Sequence, residues 1–337
     1  MQSPYPILII GQGIAGTLLS YELLQNKIPF RVIDHIDDRC ASRASGAVLN
    51  PYSGRTIKGI SRRSQMYQVA RAKYEALQQL IGTQILHHNP LLVFDGDEPG
   101  NFNMPGALQA FREQDHVQAF EEVALVDNLI LLKEWRTFLE TKGCIEDHLF
   151  DPEFLHYTSG PLSYRDQQYS KIIFCTGVAA RSQPFFSNLR FTENRGDVLM
   201  LQSDQLDQDY IYQKDKIRLL PRGHHTFWCG SNYLWDYENM IPNQEWAEQT
   251  IRQLQDWLAV PVNILDHFCA KRPTTAGQIP FIGWHPQLPG IGICNGLGTK
   301  GFSAGPMWIE NFVQESVLNG QAAMFQYVLD KWCPQVI

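Results

Sequence analysis

The chain has 337 residues, 44% hydrophobic and 19% charged, with a formal net charge of −7. These proportions exclude a disordered or fibrous chain, and the length exceeds one typical core of ~100–150 residues, so two lobes are expected. No apolar run reaches the ~18–20 residues that cross a bilayer, and Ile7–Ile10 is too short and lacks the basic flank of a signal peptide, so the chain reads as soluble and cytoplasmic.

The clearest pattern opens the chain. Ile7-Leu8-Ile9-Ile10 is a short apolar strand, followed at once by Gly11-Gln12-Gly13-Ile14-Ala15-Gly16. Helical spacing runs over Thr17–Gln25, and Phe30–Asp34 is a second strand ending in an acid. Gly11 permits a tight turn, Gly13 lets a pyrophosphate approach the backbone, and Gly16 lets helix and strand pack closely. The free N–H groups of the helix N-terminus face the phosphates. Asp34 stands where a carboxylate accepts from ribose hydroxyls. In this context the motif predicts an ADP-containing dinucleotide, and it does not separate NAD from FAD.

From Arg39 to Tyr74 there are eight Lys/Arg and no Asp or Glu. This stretch is either a local anion site or a solvated basic face. The net acidity argues against sequence-independent nucleic-acid binding. Residues 65–81 have helical spacing, and 85–140 mix short strands with loops such as Gly96–Gly100. Lys171–Gly177 is another apolar strand ending in glycine. Asp197–Leu201, Ile217–Leu220 and Thr226–Ser231 read as an antiparallel sheet, with Pro221-Arg222-Gly223 turning between the last two; residues 246–258 read as an amphipathic helix. His224 and His225 fall in a hairpin turn and read as solvated. The end holds Arg272-Pro273-Thr274-Thr275, a strand at Gly290–Cys294, Gly296–Gly301, and a helix from about Ser303 with Pro306 in its first turn. The seven cysteines form no CxxC and read as buried, reduced thiols; no metal site is expected.

Together these elements resemble the D-amino acid oxidase superfamily of FAD enzymes, most closely its glycine oxidase and sarcosine oxidase branches. The matching pieces are Gly11–Asp34, Ala44–Ala47, Ile173–Gly177, Arg195–Val198, Leu220–Arg222 and Arg272–Pro306, in the family's order. Ala47–Pro51 is also similar to the oxidase half of a bacterial bifunctional enzyme that modifies wobble uridines in tRNA. The resemblance implies an α/β chain with an α+β second lobe: a Rossmann-like FAD-binding domain and a discontinuous substrate domain built on an antiparallel sheet. Residues 1–84, 141–182 and 265–337 are assigned to the first, 85–140 and 183–264 to the second.

It further implies non-covalent FAD held by Gly11, Gly13, Ile14, Ala15, Gly16, Asp34 and His35, then by Ser42, Arg43, Ser45, Gly46 and Ala47. Leu149, Cys175, Thr176, Gly177, Gly283 and the loop Gly298, Thr299, Lys300, Gly301 and Phe302 complete the set. The helix after that loop would aim its positive end at the flavin edge that becomes anionic on reduction, with Lys300 adding to that stabilisation as a catalytic residue. Arg272 takes the place of the arginine that binds the substrate carboxylate, a task that suits a planar fork; its alternative is an ion pair between lobes. The family's second arginine is replaced by Thr299, which leaves the clamp incomplete and argues against glycine as substrate. The substrate-facing tyrosine falls on Arg218, which would restore the charge or read a second acidic group if its side of the strand faces the site.

The expected activity is FAD-dependent oxidation of a C–N bond in a small amine or amino acid. Three alternatives remain: a tRNA-modifying oxidase, a flavin dehydrogenase passing electrons to an acceptor other than oxygen, and a flavin-binding protein without turnover. Oligomeric state is not fixed by these residues.

Overall fold

A computed structural model describes the chain except residues 1–3, 53–59, 95–101, 103–104, 113–115, 158–160 and 334–337. The loop Gly96–Gly100 and the basic residues Arg55 and Lys58 lie outside the described residues.

Two large sheets carry the molecule. The first has six strands in the order Phe281–Trp284, Ile291–Asn295, Lys171–Phe174, Ile7–Ile10, Phe30–Asp34 and Ile145–Asp147. All pairs are parallel except the antiparallel edge strand Phe281–Trp284. A parallel sheet is covered on both faces, which is why the opening strand is apolar at every position. Ile7 and Ile9 enter one core with the helices Ile14–Gln25, Ile60–Ile81 and Gly305–Asn311; Leu8 and Ile10 enter another with Phe174 and Phe186.

The second sheet has seven strands in the order Asn263–Arg272, Asn194–Gln202, Thr226–Gly230, Ile217–Pro221, Ile211–Lys214, Leu91–Val93 and Gln118–Phe120. Side chains alternate between its faces. Leu199, Leu219 and Cys229 pack with Leu254 and Trp257 of the amphipathic helix Gln244–Trp257. Val198, Leu220 and Trp228 form a separate core on the opposite face. That face meets the first lobe: Trp228 Nε1 donates to Ala44 O at 3.0 Å.

Several expectations shift. The helix expected over 65–81 starts at Ile60, and the closing helix starts at Gly305, with Pro306 in its first turn, before continuing as a π-type turn over Phe312–Leu318. Strand Ile211–Lys214 was not anticipated. The boundary at 264/265 cuts strand Asn263–Arg272, which pairs with Asn194–Gln202 in the second sheet. Helix Asn128–Thr141 falls mostly on the expected substrate side of the 140/141 boundary, yet Leu131, Trp135 and Leu139 lie in the first core. The described cysteines are all free, five of them buried. Among the described residues no helix is long and apolar enough to cross a membrane.

Candidate active site

The glycine turn shows why each glycine is there. Gly11 has φ +100°, and a Cβ on it would stand 2.6 Å from Cys175 O. A Cβ on Gly16 would stand 1.8 Å from Gly11 O, so the helix can pack on the turn only without one. At Gly13 the close neighbour is Ser42 Oγ, 3.0 Å from a notional Cβ. That hydroxyl accepts from Ile14 N–H at 2.9 Å and caps the helix from another element. The turn carrying Ser42 is itself held by Asn128, whose Nδ2 donates to Ser42 O at 2.8 Å and Arg43 O at 2.7 Å.

Asp34 is engaged on both oxygens. Oδ1 accepts from Gln12 N–H at 2.8 Å and Oδ2 from Arg136 Nη1 at 2.9 Å. Burial raises its pKa, opposed by the Gln12 N–H and the Arg136 charge. An ionised carboxylate has about four acceptor positions, so two remain for a ligand. Arg136 also reaches Asp147 Oδ2 at 3.0 Å and Glu140 Oε1 at 3.2 Å, which ties the ends of two strands to one helix.

These groups open on a cavity of about 530 Å³. It runs from the glycine turn past His35, Ser42, Arg43 and Ser45, along Leu149 and Cys175–Gly177, to Gly298, Thr299, Gly301 and Phe302. Gly11, Gly13, Ile14, Ala15 and Asp34 line it too. The structure thus gathers most of the expected cofactor residues around one space. Two buried polar atoms in its wall, Thr176 Oγ1 and Gln183 Oε1, have no hydrogen-bond partner among the described residues. Such atoms call for a polar ligand.

Five expected residues do not line it. Gly16 serves helix packing, as above. A Cβ on Gly46 would lie 2.6 Å from Leu220 Cδ1, so Gly46 admits the second sheet; buried Ala47 follows it with φ +46°. Gly283 packs against the C-terminal helix, where a Cβ would meet Gln326 Oε1 at 2.5 Å. Lys300 is exposed and outside the cavity wall. Sequence reasoning missed Arg136, Asn128, Gln183 and Lys271, which are far in sequence from the motif and carry no pattern of their own.

The residues expected on the substrate side, Arg272 and Arg218, lie on one face of the second sheet. Strand register puts Asn194, Gly196 and Val198 on one face, with Arg272, Ala270 and Phe268 opposite them. Gly230 and Trp228 continue that face, then Leu220. Arg218, two residues before Leu220, shares it, which settles its side of the strand. Arg272 Nη1 donates to Asn194 Oδ1 at 2.6 Å and Asn232 O at 3.1 Å, Nη2 donates to Ser231 Oγ, and the guanidinium lies 4.6 Å over the Tyr233 ring. No carboxylate pairs with Arg272 among the described residues, so the ion pair between lobes is not found there. Burial lowers its pKa, opposed by the Tyr233 phenol and then Asp197. Asn194 Nδ2 donates to Thr274 Oγ1 at 3.1 Å, and Thr274 Cγ2 lies 3.4 Å from a notional Cβ on Gly298. Arg272 is therefore linked through two side chains to the loop that closes the cavity.

The sequence gives Arg222 no role beyond the piece Leu220–Arg222 and the turn Pro221-Arg222-Gly223. Its Nη2 donates to Gly46 O at 2.8 Å and Ser45 O at 3.3 Å, and burial pushes its pKa down to about 10, opposed by Asp127. It fastens the second sheet to the turn that lines the cavity.

Residues 156–308 match the family model described as DAO, FAD dependent oxidoreductase. Over that stretch, a little under half of the chain, the protein is similar to the FAD-dependent oxidoreductases of that family. Solved structures with the same fold include an iminodiacetate oxidase from Chelativorans sp. (18% identity, TM-score 0.72, 97% of this chain and 98% of that one). Others are a glycine oxidase from Geobacillus kaustophilus (15%, 0.74, 95% and 96%) and an L-amino acid deaminase from Proteus vulgaris (10%, 0.76, 98% and 97%).

Proposed function

We propose that the protein oxidises a C–N bond of a small amine bearing a carboxylate, with non-covalent FAD in the cavity between the glycine turn and the Gly298–Phe302 loop. One observation carries this reading: Arg272, held by neutral acceptors and without an acid partner among the described residues, stands two side chains from the cavity loop. A desolvated guanidinium in that position favours an anionic ligand, and its planar fork fits a carboxylate. The activities named for the similar structures, on glycine, iminodiacetate and L-amino acids, point to the same substrate class.

Bound FAD supplies the two-electron acceptor for a hydride leaving the carbon next to nitrogen. The protein's task is then orientation and desolvation. Asp34 and the glycine turn hold the adenosine end. Arg272 anchors the carboxylate, so that the amine-bearing carbon is presented to the loop at Gly298–Thr299. Asn194 and Ser231 keep the guanidinium in register. Lys300, exposed beside the loop, would act there by its charge on the far side of the cavity wall. The imine product hydrolyses in water and needs no dedicated base.

Non-covalent attachment fits the thiols nearby. Burial raises the pKa of Cys175 strongly and that of Cys40 as well, so neither offers a ready thiolate. Acid precipitation of the yellow holoprotein should release the flavin to the supernatant. The function itself is tested by anaerobic mixing with glycine, N-methylglycine, iminodiacetate and a set of L- and D-amino acids. Bleaching by at least one carboxylated amine, lost in Arg272→Ala, supports the reading; bleaching by none overturns it. Peroxide release in air then separates an oxidase from a dehydrogenase.

A further inference from the structure

Arg218 is a cation with no part in the proposed oxidation. It lies on the face that carries Arg272, three strands away in the order Asn263–Arg272, Asn194–Gln202, Thr226–Gly230, Ile217–Pro221. Arg218 is level with Gly230, Val198 and Phe268, four residues along the strand from Arg272, so three inter-strand spacings and that offset put the two backbones roughly 19 Å apart. Tyr233 stands in that interval. Arg272 stacks on its ring, and its phenol is an electrostatic neighbour of both guanidinium groups.

Arg218 is also held in place. Its Nε donates to Gln213 Oε1 at 2.7 Å, on the neighbouring strand Ile211–Lys214, which leaves both terminal NH2 groups without an acceptor among the described residues. No acid pairs with it there. The side chain is open to solvent, yet surrounding protein lowers its pKa by desolvation. Two guanidinium groups without counter-ions, on one sheet face and flanking one aromatic ring, repel each other unless an anion lies between them.

We infer that Arg218 and Arg272 form a two-point site for an amine carrying two carboxylates, Arg272 taking the carboxylate next to the reacting carbon and Arg218 the distal one. This rests on the amine-oxidation reading above. It explains how a site whose loop presents Thr299 in place of a cation recovers a second positive charge. It also assigns a role to Gln213: fixing Nε so that the fork points away from its own strand.

The test uses the FAD-loaded protein and two inert probes that lack nitrogen. Oxydiacetate carries two carboxylates, and methoxyacetate is its single-acid counterpart. Calorimetric titration should show oxydiacetate binding at least tenfold more tightly. In Arg218→Ala and Arg218→Gln the ratio of the two affinities should fall to near one, and Arg218→Lys should restore part of it. Arg272→Ala should weaken both probes. A wild-type ratio near one, or a ratio that survives both Arg218 substitutions, overturns the inference. The wild-type comparison decides even if a variant fails to fold. Anaerobic bleaching separates the two levels. If oxydiacetate is preferred but no carboxylated amine reduces the flavin, the diacid site stands and the amine-oxidation reading fails. If single-acid amines bleach the flavin as readily as iminodiacetate, and with equal KM, the oxidation reading stands and the diacid site fails.

Discussion

The glycine turn and the Arg272 face of the second sheet are built on opposite principles. The turn Ile10–Gln25 is made by backbone approaches, and its decisive contacts are steric, one local (Gly16 against Gly11 O) and one from a distant strand end (Gly11 against Cys175 O). The Arg272 face is made by side chains 35 to 80 residues apart, and its decisive contacts are hydrogen bonds, such as Arg272 to Asn194 and Asn232 to Asp197 at 3.1 Å. A steric rule tolerates one residue type at each position. A hydrogen-bonded rule tolerates any residue that keeps the donor or acceptor count. The first kind of site should therefore fail abruptly on substitution, and the second should degrade in steps.

The largest effect is expected at Gly16. A Cβ would sit 1.8 Å from a backbone oxygen that cannot swing aside. Gly16→Val should cost at least about 3 kcal/mol, the upper end for overpacking, and yield little soluble yellow protein. Gly177 is the control within the same cavity wall. It has φ +56° but nothing within 4 Å of a notional Cβ. Gly177→Ala should carry only the left-handed strain of ~1 kcal/mol, with the flavin retained. Equal loss in both variants would remove the distinction between steric and merely conformational glycines.

Arg136→Leu is next. Arg136 and Asp34 are 8% and 16% exposed, so removing the cation strands a nearly buried carboxylate. Loss of about 3–5 kcal/mol is expected, read by urea denaturation, with weaker FAD binding by fluorescence titration. Asp34 already has a pKa raised by burial, and the substitution removes one of the groups opposing that shift. Protonation relieves a stranded charge, so the defect should be full above the pKa of Asp34 and shrink as the pH falls through it. A defect independent of pH would mean that packing, not charge, is what Arg136 contributes.

The same contrast explains what could be read from the sequence. Strand, turn, helix and acid at the start were legible because each constraint lies within 30 residues. The Asp34–Arg136 pair spans 102 residues and leaves no spacing to find. Arg218 could not be oriented, because its face depends on which residues of Asn194–Gln202, Thr226–Gly230 and Ile217–Pro221 stand opposite each other, and no spacing within one strand fixes that register. Gly283 was misassigned for a related reason. Glycine marks a close approach, but only the fold shows that the approaching group is Gln326. The 264/265 boundary failed because Asn263, Ile264, Leu265 and Asp266 are exposed at the open end of a ten-residue strand. Composition cannot distinguish that from a linker.

Trp228→Phe probes the seam where the two kinds of site meet. It removes the Nε1 donation to Ala44 O while keeping the ring in its core. The cost should be about 1 kcal/mol, with the flavin still bound, because Arg222 continues to hold Ser45 and Gly46 from the same sheet. If Trp228→Phe releases FAD as fully as Gly16→Val, the turn is cofactor machinery on both of its sides and the division between regions is wrong.

The smallest expected effect concerns His285, remote from both regions and therefore a baseline for them. Its Nδ1 accepts from Gln287 N–H and Leu288 N–H, each at 3.1 Å, which requires that nitrogen to be unprotonated. Burial lowers its pKa, opposed by a bond to the Phe185 backbone. The unfolded chain takes up a proton near pH 6.5 while the folded chain resists it. The unfolded state thus binds more protons in that interval, and stability falls as the pH drops from about 6.5 toward the folded value. His285→Asn places an amide oxygen where Nδ1 stood, keeps an acceptor for the turn and removes the titration. Denaturation midpoints at pH 5.5 and 7.5 should converge in this variant by an amount worth about 1 kcal/mol, one hydrogen bond's contribution. A gap between the two midpoints that is the same in wild type and variant would place the acid sensitivity elsewhere.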